Sequence, residues 1–192
     1  AGGSIGIPFY VSQSLSAALY IIGFTEGWLM IFPGHNPLVI SLLTAIILFV
    51  IAYTGAKYAI RLQYVILVLI ILSVFSFLFT QAEPVDTVTL IGKFEDANFW
   101  QVFAIFFPAV TGIMAGANLS GDLKNPRKAI PIGTLTAIGF TLVVYVTLAV
   151  FSANYISTEE LRTNQMFMVD YSFWGPMVII GILAATFSSA LG

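Results

Sequence analysis

Long apolar runs separated by short polar turns dominate the chain, and the pattern is helical and membrane-spanning. A helical span needs about 20 apolar residues, and hydropathy with its breakers predicts six of them. The first runs from Gly3 to Phe32 and stops at the turn Pro33-Gly34-His35-Asn36-Pro37. The second covers Leu38 to Gly55 and the third Lys57 to Thr80, beginning at an interfacial stretch, Lys57 to Arg61. A polar, acidic loop from Gln81 to Ala97 leads to a fourth span, Asn98 to Leu123. The fifth is Ile130 to Asn154, and the sixth starts near Phe173 and is incomplete at Gly192. The chain opens on Ala1-Gly2-Gly3 and ends inside an apolar run, so residues 1–192 read as a single truncated piece of a longer membrane domain.

Composition rules out a water-soluble globule. Charged residues make up 8% and hydrophobic ones 59%, where soluble domains carry about 25% charged residues. Mean hydropathy is +0.98. A net charge of −2 gives no basic surface for a nucleic acid. With no cysteine and one histidine, His35, neither disulfides nor a transition-metal site is expected.

The charges orient the spans. Five of the seven basic residues, Lys57, Arg61, Lys124, Arg127 and Lys128, fall in loops 56–61 and 124–129, which share a side. That side should be cytoplasmic. The opposite loops hold Glu83, Asp86, Glu95, Asp96, Glu159, Glu160 and Asp170. Trp28, Trp100 and Trp174 all fall at the outer ends of their spans, as an aromatic belt requires.

The fourth span carries the strongest functional signal. Pro108 lacks an N–H and presses on the carbonyl of Ala104, and Gly112 and Gly116 follow within two turns. Such an interruption, near 108–114, leaves two half-helices with free backbone groups, which only a cavity or ion site tolerates. Carbonyls ending the first half suit a cation, and the N–H groups of Gly112, Ile113 and Met114 suit an anion. A simple proline kink with Gly112 and Gly116 as a packing face explains the same residues. In the sixth span Ala185, Ser188, Ser189 and Gly192 share a helix face, fit either for a hard cation or for a tight helix contact. Gln13, Ser16 and Tyr20 form a similar stripe in the first span. Glu26, one turn inside the outer end, calls for a basic partner elsewhere. Asp122, beside Lys124, reads as half of an interfacial ion pair.

The stretch Phe106 to Ile130, with its core Phe-Phe-Pro-Ala-Val-Thr-Gly-Ile-Met-Ala-Gly-Ala-Asn-Leu-Ser-Gly-Asp-Leu, closely resembles the signature of the cation-chloride cotransporters. These belong to the amino acid–polyamine–organocation superfamily. The segments Gly2 to Gly6 and Tyr20 to Glu26 look like the third span of that family, so the chain resembles spans three to eight. The resemblance implies an all-α, inverted-repeat transporter fold with discontinuous helices, present only in part. It implies potassium ligands at Tyr20, Pro108 and Thr111 and a chloride site on the N–H groups of Gly112, Ile113 and Met114. It also implies a sodium site at Ala185, Ser188 and Ser189, and an extracellular gate at Glu26. The outer loops, Gln81 to Ala97 and Tyr155 to Tyr171, are short and free of cysteine, which looks like a prokaryotic relative.

The function implied is secondary symport of potassium and chloride driven by sodium, in the plasma membrane and with no cofactor. An amino-acid–cation symporter on the same fold is the alternative, with a carboxylate in place of chloride. An intramembrane enzyme would need a base or a second aspartate that the spans lack, and a channel or scaffold would tolerate changes at Thr111. The partners expected are the lipid bilayer and small inorganic ions or an amino acid, and a homodimer is open to it.

Overall fold

The computed structural model describes residues 2–86, 88, 98–107, 112, 116 and 120–191, with positions 2, 3, 5, 56, 57, 59, 105 and 122 in backbone only. All secondary structure among them is helical: α1 (Gly2–Ile31), α2 (Pro37–Thr54), α3 (Ala56–Leu78), α4 (Phe99–Phe106), a 3-10 turn (Ser120–Asp122), α5 (Pro126–Tyr155), α6 (Thr158–Thr163), α7 (Phe167–Asp170) and α8 (Gly175–Leu191). Four helical stretches are long and apolar enough to cross a membrane: Gly6–Ile31, Pro37–Thr54, Ile60–Leu78 and Pro126–Tyr155. Their large apolar side chains face outward. Leu42, Phe49, Tyr53, Val65, Leu135 and Phe140 are all more than half exposed, an arrangement suited to hydrocarbon and not to water.

Local chemistry sets the helix ends. Asn36 caps α2, its Oδ1 accepting from the N–H groups of Leu38 at 2.9 Å and Val39 at 3.4 Å, with Pro37 at the first helical position. Asn98 and Gln101 cap α4 reciprocally, at 2.8 and 3.0 Å. Only Gly55 separates α2 from α3, at φ 102° and ψ 158°, a region open essentially to glycine. Its N–H donates to the Ala52 carbonyl, and its own carbonyl accepts from the Tyr58 N–H.

Two compact units result, residues 1–77 with 174–192 and residues 78–173. In the first, α1 lies between α2 and α8. Thr25, buried at 4% exposure, donates to its own helix at the Ile21 carbonyl and shares a 2.9 Å hydrogen bond with Ser41 of α2. On another side of α1, Gly23 and Gly27 lie against Thr186 and Leu183 of α8, and Phe24 packs edge-on against Phe187 with ring centres 5.9 Å apart. The order of these contacts makes α1 and α8 antiparallel. In the second unit Val85 donates to the Asn154 carbonyl at 2.8 Å, tying the segment after α3 to the end of α5.

Differences from the predicted spans have local causes. The fifth helix begins at Pro126, not near Ile130, because Asn125-Pro126 starts the helix within a polar stretch that an apolar-run criterion skips. The sixth begins at Gly175 after Trp174, not at Phe173. The loop Tyr155 to Tyr171 contains α6 and α7, the first capped by Ser157, whose Oγ accepts from the Glu160 N–H at 3.3 Å.

Gly55→Ala should destabilise the protein by about 1–3 kcal/mol, the cost of holding a side chain in that backbone region. Thermal unfolding in detergent should show a lower midpoint for Gly55→Ala. Gly34→Ala, where an added Cβ meets nothing within 4 Å, should unfold like the unmodified protein. Equal midpoints for all three would show that the α2–α3 joint carries no strain.

Candidate ion site and family

The described part of the fourth predicted span is not a continuous helix. α4 ends at Phe106, with the Phe107 N–H donating to the Phe103 carbonyl. Gly112 follows in a turn at φ 88°, a left-handed value that no α-helix contains, and Gly116 is helical again. A Cβ at Gly112 would meet nothing within 4 Å, so it is backbone conformation and not crowding that suits glycine there. Pro108, Thr111, Ile113 and Met114, and the Asp122 side chain, lie outside the described residues.

Tyr20 is half-buried on α1. With 3.6 residues per turn, positions 13, 16, 20, 23, 24 and 27 line one face of this helix, so the Gln13, Ser16 and Tyr20 stripe continues into the glycines that meet α8. Gln13 and Ser16 are half-buried too, while Ser12, Ser14 and Leu15 beside them are exposed. The pairing of Gly27 with Leu183 and of Gly23 with Thr186 puts Tyr20 at the depth of residues 189 and 190.

Ala185, Ser188 and Ser189 lie on the side of α8 opposite its contact with α1. Leu183, Thr186 and Phe187 meet α1, and helical geometry turns 185, 188 and 189 about half a revolution away. Ala185 and Ser188 are half-buried and Ser189 is exposed. Tyr20 and the two serines therefore belong to separate surfaces. Thr186, between them, donates its hydroxyl back to the Ile182 and Leu183 carbonyls and is satisfied within its own helix.

Glu26 is exposed on a flank of α1 that faces neither α2 nor α8, with no ion-pair partner among the described residues. Two open clefts, of about 450 Å³ beside α5 and 570 Å³ along the first turns of α1, contain none of the proposed ion ligands.

Sequence reasoning missed the polar cluster between α6 and α8. The Tyr171 hydroxyl donates to the Glu160 carboxylate at 2.7 Å, and the Asn164 amide donates to Asp170 at 2.9 Å and more weakly to Glu160. The hydrogen bond to Glu160 pushes the Tyr171 phenol above its ordinary value of 10.0, helped by partial burial and by the charges of Glu160 and Asp170. Gly23-x-x-x-Gly27 was also readable, as a small-residue packing motif.

The sequence profile of the amino acid permease family matches residues 1–192. The chain belongs to that family. Among curated proteins, human solute carrier family 12 member 2 is 36% identical over 174 residues, 78% of this chain and 14% of the human protein. The mouse protein of the same name is 31% identical over 252 residues, 99% of this chain and 21% of its own length. Mouse solute carrier family 12 member 1 is 28% identical over 253 residues, again 99% of this chain and 23% of the mouse protein. The resemblance to the cation-chloride cotransporters thus stands on relatives of that group, and the chain spans about a fifth of their length. An alignment of 252 positions against a permease chain of 192 leaves at least 60 where the mouse relative has residues that this one lacks. The short outer loops fit that difference. Helices and family together make this a multi-pass integral protein of the plasma membrane.

The raised Tyr171 value has a testable sign. A phenol whose folded value lies above its unfolded value stabilises the loop fully below pH 10.0, and the contribution is lost as pH rises through the folded value. Difference absorbance of tyrosinate, taken between the unmodified protein and Tyr171→Phe, should place this phenol above free tyrosine. Glu160→Gln should return it toward the ordinary value, and an unchanged midpoint would remove Glu160 as the cause.

Proposed function

We propose that this chain is part of a secondary active symporter that couples potassium and chloride, with sodium as the driving ion, by alternating access. The observation that carries the reading is the left-handed Gly112, φ 88°, six residues after α4 ends, in the stretch that resembles the cation-chloride cotransporter signature. Carbonyls at the C-terminal end of α4 would attract a cation. N–H groups at and after Gly112 attract an anion. Potassium would sit among Tyr20, Pro108 and Thr111, chloride on Gly112, Ile113 and Met114, and sodium on Ala185, Ser188 and Ser189. Glu26 serves as an outer gate, pairing with a basic group beyond the described residues when the outer path closes. Loops 56–61 and 124–129 face the cytoplasm. The protein transports without bond chemistry and is not an enzyme.

The family match over the whole chain keeps a second reading in play, an amino-acid–cation symporter with a substrate carboxylate on the N–H groups of Gly112 to Met114. Tracer uptake by the protein in proteoliposomes separates the two. Potassium uptake that stops when chloride is replaced supports the first, and uptake indifferent to chloride but exchanging with amino acids supports the second.

Thr111→Ala and Tyr20→Phe each remove one oxygen ligand or its hydrogen bond and should raise the potassium half-saturation concentration about tenfold. Ser188→Ala should do the same for sodium and leave potassium largely unaffected. Unchanged half-saturation for the named ion would take that residue out of its site.

A further inference from the structure

The outer half of α8 is fixed to α3 by contacts that the transport reading does not use. Ser76 of α3 grips the backbone just before α8: its Oγ donates to the Trp174 carbonyl at 3.0 Å and accepts from the Trp174 N–H at 3.0 Å. Two turns further on, Gly181 lies so close to α3 that a Cβ there would stand 2.3 Å from both the Cβ and the Oγ of Ser73, and 3.8 Å from the Leu69 carbonyl. Ser73 is buried at 8% exposure, Met177 at 7%, and Phe77 and Val178 at 1% each.

The joint and the proposed sodium ligands share one line of the helix. Positions 174, 177, 178, 181, 185 and 188 recur at spacings of three and four, a single stripe down α8. Its first half meets α3 at Trp174 and Gly181. Its second half is the face of Ala185 and Ser188, about 6 and 10 Å below Gly181 at 1.5 Å per residue. The opposite side of α8 meets α1 through Leu183, Thr186 and Phe187. Contact with α1 packs one side of α8 and leaves the opposite side, with Gly181, Ala185 and Ser188, to be placed by α3. The bidentate grip of Ser76 fixes its height, and the absence of a side chain at Gly181 fixes how closely α3 approaches that face.

We infer that Ser76 and Gly181 are positioning residues for the cation site on α8, holding Ala185, Ser188 and Ser189 at the depth and rotation that ion coordination needs. This rests on the sodium assignment proposed above. Carbon atoms pack best about 3.5–4.0 Å apart, so a methyl at Gly181 must drive the helices apart by more than about 1 Å. A constellation of ligands tolerates only about 0.5 Å of misplacement.

The test compares Gly181→Ala, Ser76→Ala and the double variant Gly181→Ala with Ser73→Gly, all in the protein reconstituted in proteoliposomes. Gly181→Ala should raise the sodium half-saturation concentration about tenfold while that for potassium and the maximal rate stay within about twofold. Ser73→Gly, which removes the atoms that the new methyl strikes, should restore sodium affinity. Ser76→Ala introduces no clash and should weaken sodium affinity in the same selective way, so it carries the test if Gly181→Ala does not fold. Equal changes for sodium and potassium, or no rescue by Ser73→Gly, would overturn the positioning role. If uptake proves independent of sodium, the sodium assignment fails on its own. The positioning role is then read from the rate of thiol labelling at Ser188→Cys, which these 192 residues allow because they contain no cysteine. A rate altered by Gly181→Ala and restored by Ser73→Gly upholds the role, and a rate unmoved by Gly181→Ala overturns it.

Discussion

Within the hydrocarbon of a bilayer an unpaired backbone N–H or carbonyl costs several kcal/mol, and the architecture follows from avoiding that cost. Each long helix pairs its own backbone internally. Hydroxyls inside the spans obey the same rule: Thr25, Thr136, Thr141, Thr147 and Thr186 all donate to carbonyls three or four residues earlier in their own helices. Where helices end, polar side chains take over at Asn36, Asn98 and Ser157. Against this background Gly112 is an exception, a left-handed glycine six residues after α4 ends at Phe106. Non-helical backbone at membrane depth is tolerated only where protein or water answers its polar groups.

Packing between helices follows a second constraint, because lipid gives apolar side chains no reason to leave it. Close approach and specific hydrogen bonds do the work instead. Gly23 and Gly27 let α1 lie against α8, where a Cβ at Gly27 would already stand 3.0 Å from Leu183. Thr25 and Ser41 link α1 to α2 across the opposite side. The closest approach of all is that of α3 to Gly181. Glycine at positions 27 and 181 acts through its small volume, unlike Gly55 and Gly112, which are chosen for backbone angles.

The apolar pattern showed most of this fold in advance. The first three helices start and end within a few residues of their predicted limits, since each is bounded by proline, glycine or a charge. The start of α5 was hidden because its first turn, Pro126-Arg127-Lys128, is polar and even opposes the helix dipole. α6 and α7, at 6 and 4 residues, are too short to show a period. For the candidate site the sequence named residues but could not arrange them. Helical spacing grouped Ala185 with Ser188 and Ser189, yet nothing local reveals that α1 covers the other side of the same helix. The contact of Ser73 with Gly181 joins residues far apart in the chain, and neither carries a motif that announces it. The Tyr171–Glu160 bond depends on how α6 and α7 fold back, which no spacing encodes.

The arrangement around α8 bears on how such a helix can serve transport. Its two long faces are both apolar or weakly polar, so hydrophobicity does not distinguish them. Side-chain size does: Leu183, Thr186 and Phe187 fill the seam with α1, while Gly181, Ala185, Ser188 and Ser189 leave room on the other side. Gly181 gives close contact with Ser73 of α3 in the outer half. The small residues further down, where the α3 contacts described here have ended, give space with hydroxyls around it. A helix built this way can be held at one end, where Trp174, Met177 and Val178 precede Gly181, and offer small residues and hydroxyls at the other. That is a strong reason to look for the determinants of ion affinity in the clamp as well as in the ligands.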